Sequence, residues 1–191
     1  MNERMIGMEK KIQSRILINM LIDQIKTQHC KLLKKLKVKR IYIKKDIDSR
    51  ALMSQHRLWK KVSKGEWSLQ SEIWVNENKL AQIAEGIKNM DNAEMYVDYF
   101  YKTLLHELRH SAQQQYIYNK FKNKTLYRRF MFWQHQLYGE SYNWESSLEK
   151  DAFSYMENGT YDDNIFQGFE KFDDEINTFL HRESYFIKEI L

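Results

Sequence analysis

Apolar residues recur at helical spacing through the first 36 residues, at Ile12, Ile16, Ile22, Ile25, Leu32 and Leu36 among others, and this predicts a helix over about 5–36. The pattern then changes period. Val38-Lys39-Arg40-Ile41-Tyr42-Ile43 alternates apolar with polar residues, as a short strand does, and Asp46 to Ser49 reads as a turn. Trp67 to Val75 is a second strand candidate, closed by Asn76-Glu77-Asn78, with Asn78 the expected cap of a helix over about 79–88. Asn89-Met90-Asp91-Asn92 breaks the pattern. A long helix follows over about 93–121, then helices over about 126–138, 144–156 and 169–190, with interruptions at Gly139, Ser141 and Asn158-Gly159. The expected fold class is α+β: a small sheet, a helical C-terminal half and an N-terminal helical extension. The expected division is 1–36 for the extension and 37–191 for the domain.

Composition narrows the class. A chain of 191 residues with 42% hydrophobic and 30% charged residues suits a globular domain whose core needs no disulfide. The single cysteine, Cys30, has no partner in the chain and reads as a small side chain on a helix. No run approaches the roughly 18 apolar residues of a membrane span, and the first thirty residues contain no secretory pattern, so a cytoplasmic protein without membrane contact is expected. The net charge of +5 is concentrated early, between Lys31 and Lys45. Such a run is either a solvated face or a nucleic-acid footprint. Nothing in the sequence bears on oligomeric state.

The chemistry is concentrated in His106-Glu107-Leu108-Arg109-His110, inside the longest predicted helix. Histidines four apart lie one turn apart on one helical face, where both imidazoles can grip one ion. Zinc takes neutral imidazole nitrogen, and a catalytic site uses three protein ligands and keeps one position open. Glu107, directly after the first histidine, is then placed to act as general base on a metal-activated water. Arg109 and Ser111 fall at positions expected to face outward. Gln113 and Tyr116 occupy the positions where a metzincin has Gly and a third His, which excludes that branch.

The third ligand must come from elsewhere. Glu149, in Glu149-Lys150-Asp151-Ala152, is the expected choice, because Ala152 leaves room for the metal helix to approach and Asp151 can support a neighbouring group. Glu145, one turn earlier on the same face, and His135 are the alternatives. Tyr142 lies in the turn before the third-ligand helix, where a phenol can polarise a carbonyl or hold its oxyanion.

Residues 70 to 157 resemble the gluzincin side of the HExxH zinc metallopeptidases, and in particular the small cytosolic zincins of the ImmA/IrrE-like type. The segment around Glu149 is similar to their Glu-x-Glu-Ala-x-x-Phe pattern, with Asp151-Ala152 where that pattern has Glu-Ala. The resemblance implies a zincin-like fold and a Zn2+ held by His106, His110 and Glu149. It also implies that Glu107 is the base and that a peptide or protein substrate is cut by activated water. It further implies a peptide-binding edge strand ahead of the metal helix, at Glu72-Ile73-Trp74-Val75-Asn76. The alternative expectation is a non-catalytic or regulatory module of the same fold, associated with nucleic acid through residues 31–45.

Overall fold

The computed structural model describes residues 3–45, 51–88, 93–138 and 146–190, with side chains described from residue 12 to 184 within those ranges, Lys88 excepted. The turn expected at Asp46–Ser49, the break at Asn89–Asn92 and the interruptions at Gly139 and Ser141 lie outside the described residues.

The N-terminal apolar pattern forms two helices rather than one, α1 (Glu3–Gln28) and α2 (Cys30–Lys35). The chain leaves the helix at His29, whose φ of −115° and ψ of 25° are not helical. Ile18, Ile22 and Ile25 of α1 are buried in the common core, whereas Ile12, Ile16 and Met20 face out.

Three strands follow: β1 (Val38–Lys44), β2 (Met53–Ser63) and β3 (Glu66–Asn76), in the sheet order β1-β3-β2. β1 runs parallel to β3, and β2 pairs with β3 as an antiparallel hairpin. Gly65, at φ 85°, supplies the left-handed residue this tight connection needs. Two findings correct the sequence reading. Glu72–Asn76 belongs to β3, the central strand, so it has no free edge; the strand open towards the helices is β2. That strand was missed because both of its faces carry polar residues, such as Gln55 and Arg57 on one and Ser54 and His56 on the other, so no alternation marks it.

Helix α3 (Glu77–Lys88) is capped by Asn76 and not by Asn78, since the Asn76 side chain accepts from the Asn78 N–H at 3.0 Å. Four more helices complete the described chain: α4 (Ala93–Phe121), α5 (Lys124–Tyr138), α6 (Ser147–Asn158) and α7 (Asp173–Ile190). Short 3-10 turns at Asp163–Phe166 and Glu170–Phe172 precede α7, which therefore starts later than its apolar pattern suggests. The fold is α+β, with a small mixed sheet. No helix among the described residues is long and apolar enough to cross a membrane.

Helix α4 is the centre of the molecule. Phe100, Leu104, Leu108 and Ala112, four apart, are fully buried along one face. The opposite side is buried too, but by polar groups: His106, Glu107, Arg109, Gln113 and Gln114. A helix enclosed all round with polar residues in its middle must satisfy them locally, because an unpaired buried polar group costs several kcal/mol, roughly 1–3 each.

Candidate metal centre

His106 and His110 project from adjacent turns of α4, and Glu149 meets them from the first turn of α6. Their ligand atoms form a tight group. The two Nε2 atoms are 3.0 Å apart, His106 Nε2 is 3.3 Å from Glu149 Oε2, and His110 Nε2 is 3.2 Å from Glu149 Oε1. Ligands held tetrahedrally by zinc at about 2.0–2.1 Å lie about 3.3–3.4 Å from one another. The separations, in which each histidine faces a different oxygen of Glu149, are close to that spacing, and one ligand atom from each of the three residues lies within 4.8 Å of the others, so the donor set can hold a metal ion. Among the described residues this is the one group of three or more His, Cys, Asp or Glu side chains that could hold a metal. His135 is exposed on α5 and stands outside it. Glu145 and Tyr142 lie outside the described residues.

The position of Glu149 has a local cause. Ser146 caps α6, its side chain accepting from the Glu149 N–H at 3.1 Å. Ser146-Ser147-Leu148-Glu149 has the spacing of a capping box, in which the glutamate usually folds back on the cap. Here the Glu149 carboxylate turns to the histidines instead, while the cap fixes its backbone. Burial opposes this carboxylate's charge, but the close imidazoles of His106 and His110 hold it well below the usual carboxylate range. Burial likewise pushes His110 down, and its contacts with Glu149 override that and raise it to about 9.

Behind the ligands lies a network that the motif alone does not reveal. Gln113 Nε2 donates to the Leu148 carbonyl at 2.9 Å and to Asp151 Oδ2 at 2.7 Å, which leaves its Oε1 to accept from His110 Nδ1 at 2.8 Å. That bond keeps a proton on Nδ1, so Nε2 is the nitrogen that His110 turns to the group. Asp151 is held in turn by Arg109, through bonds of 2.7 and 2.8 Å, and by Lys171. Arg109 also donates to the carbonyls of Ile165 and Gln167, and its guanidinium lies 4.0 Å from the centroid of Phe169. Arg109 and Ser111 are thus buried, contrary to the outward positions expected for them. An arginine can occupy such a site because four of its five N–H groups find a carboxylate or carbonyl oxygen. The signal that could have revealed it was Asp151: one acidic residue, two after the third ligand, needing a cation.

Glu107 faces the same cleft but stands outside the ligand group. It is 7% exposed, and burial raises its carboxyl above the ordinary value, against the lowering influence of His110, His106 and the Gln55 backbone N–H. The pairing of β2 with β3 sets its orientation. The Leu52 carbonyl accepts from the Asn76 N–H, so even-numbered residues of the strand pair with β3. The N–H and C=O groups of Gln55, Arg57 and Trp59 therefore point away from β3, along the free edge beside the metal group. The cleft between this edge, α4, α5 and the start of α6 has a volume of about 870 Å³.

The early basic run is divided and partly engaged. Lys35 pairs with Asp163 at 2.9 Å, Arg40 pairs with Glu72, and Lys44 Nζ lies 3.0 Å from the Trp74 ring centroid.

Comparison of the chain with protein-family models, with curated proteins and with solved structures returns no match.

Proposed function

We propose that the protein is a zinc-dependent endopeptidase with a zincin-like fold, similar to the gluzincins, that cuts peptide bonds with Glu107 as general base. The observation that carries this reading is the convergence of His106, His110 and Glu149 within reach of one ion, beside a buried carboxylate that is not itself one of the three. Two imidazoles and one carboxylate with an open fourth position are the donor set of catalytic zinc. When bound, the ion supplies a Lewis acid and an acidified water at neutral pH.

The chain's own groups do the rest. Glu107 accepts the proton of the attacking water and passes it to the departing amine. Its raised basicity suits that task, and the Gln55 N–H orients it. Gln113 keeps the proton of His110 on Nδ1, so that Nε2 remains a ligand. The edge of β2 offers Gln55, Arg57 and Trp59 backbone groups to an extended substrate, which adds as a further strand.

The test is a pair of substitutions. Glu107→Gln should retain stoichiometric zinc and lower peptide hydrolysis by about 10²–10⁴-fold, while His110→Ala should lose the metal. Hydrolysis undiminished in Glu107→Gln would remove Glu107 as base. A protein that binds zinc but cuts no peptide, with or without Glu107, would be a binding module of the same design.

A further inference from the structure

Cations outnumber carboxylates among the described residues that line the cleft. Among the described residues, the only carboxylates lining it are Glu107 and Glu149, both at the metal group. Three cations line it as well, Arg57 on β2 and Lys124 and Arg128 in the first half of α5. Arg57 and Arg128 are exposed, and none of the three forms an ion pair among the described residues.

Lys124 and Arg57 stand beside a group of aromatic rings. Trp59 and Tyr127 meet edge to face with centroids 5.4 Å apart, Lys124 Nζ lies 5.3 Å from the Trp59 centroid and 3.4 Å from that of Trp67, and Arg57 sits beside the Tyr127 hydroxyl. Cations held over rings at the mouth of a low-dielectric cleft keep their charge and focus it on whatever enters.

Strand geometry sets the distance to the reacting centre. Gln55 contacts Glu107, and Arg57 and Trp59 follow it by two and four residues, or about 7 and 13 Å along an extended chain. A substrate that adds antiparallel to β2 runs towards its own N-terminus as β2 runs from Gln55 to Trp59. From this geometry we infer that Arg57, Lys124 and Arg128 form a subsite for acidic side chains of the peptide, two to four residues to the N-terminal side of the bond that is cut. The inference rests on the peptidase reading for its reaction, but not for the binding preference.

The experiment separates the two. Three labelled versions of one extended decapeptide, carrying a pair of Glu, Gln or Lys residues, are titrated by fluorescence anisotropy into zinc-loaded Glu107→Gln protein at low salt. A peptide library is digested in parallel with the wild type. The Glu peptide should bind about tenfold more tightly than the Gln peptide, the Lys peptide more weakly still, and added salt should compress the range. Arg57→Glu combined with Arg128→Glu should reverse the order, and Glu and Asp should be enriched before the cut sites. Equal affinities for the three peptides would overturn the inference. So would an order unchanged in the double variant, or displacement of the Glu peptide by an oligonucleotide of equal charge at lower concentration. Charge-selective binding that reverses as described, with no library peptide cut, would sustain the subsite and refute the peptidase.

Discussion

Replacing Asp151 by Asn removes one charge while keeping the side chain's shape, and the structure gives the consequence a size. Asp151 and Arg109 are 5% and 3% exposed, and the carboxylate accepts from Arg109 twice, from Gln113 and from Lys171. An amide in that place offers one acceptor and turns an NH2 group towards donors, leaving Arg109 buried without its counter-charge. Breaking a buried pair on one side costs about 3–5 kcal/mol. That is a large share of the roughly 5–15 kcal/mol by which domains are stable. Urea unfolding of the metal-free proteins should show this loss as a lower midpoint at unchanged slope. Replacing both partners, Arg109→Met with Asp151→Leu, should recover most of it, because no orphan charge remains.

The pH dependence carries a sign. Burial opposes the charge of Asp151, but bonds from Arg109, Lys171 and Gln113 hold the carboxyl below its ordinary value. Its contribution is therefore full above the unfolded value of about 3.9 and fades as pH falls through the folded one. The acid limb of the stability curve should accordingly flatten in Asp151→Asn. A loss below about 1 kcal/mol at neutral pH, typical of an exposed pair, would refute the view that Asp151 and Arg109 form a buried pair whose charges depend on each other.

Other outcomes follow from the same coordinates. In the metal-free protein His110 is raised to about 9 by Glu149, so zinc binding at pH 7 should release about one proton from it. Calorimetry in buffers of different ionisation heats should detect that proton, and apparent affinity should rise about tenfold per pH unit until pH approaches 9. No proton release at pH 7 would contradict the His110–Glu149 pairing. At Gly86 on α3 a β-carbon would lie 2.2 Å from ring carbons of Tyr96, so Gly86→Ala should destabilise by about 1–3 kcal/mol. An open helical site would instead gain about 0.5–1 kcal/mol from that change, which makes the sign of a thermal shift decisive. Leu108→Ala, at a fully buried position of α4, should cost about 2–5 kcal/mol in the same assay.

Two classes of feature were legible in the sequence for different reasons. Helices with a strong apolar face, such as α3 and α5, announce themselves because hydrophobicity is the periodic quantity. The His106–His110 pair is readable because helical spacing converts directly into distance. The third member of the group was one choice among neighbours in the sequence, and the first turn of α6, capped by Ser146, brings Glu149 to the histidines. What stayed hidden depends on partners distant in sequence. β2 has polar residues on both faces, one set serving the cleft and the other solvent, so its period is masked. Arg109 looked solvent-facing because a charged residue is taken as exposed until its counter-charge, 42 positions away in Asp151, is known. Gln113 was used only to exclude another ligand pattern, yet it links His110 to that pair.

Equilibrium dialysis of the protein against zinc, followed by elemental analysis, addresses the metal centre without reference to any substrate. One zinc per chain should remain in the wild type and in Glu107→Gln, and fall to background in His110→Ala and in Glu149→Ala. A wild type that retains none, or a His110→Ala, Glu149→Ala double variant that still holds a full equivalent, would contradict the assignment of these three side chains as its ligands.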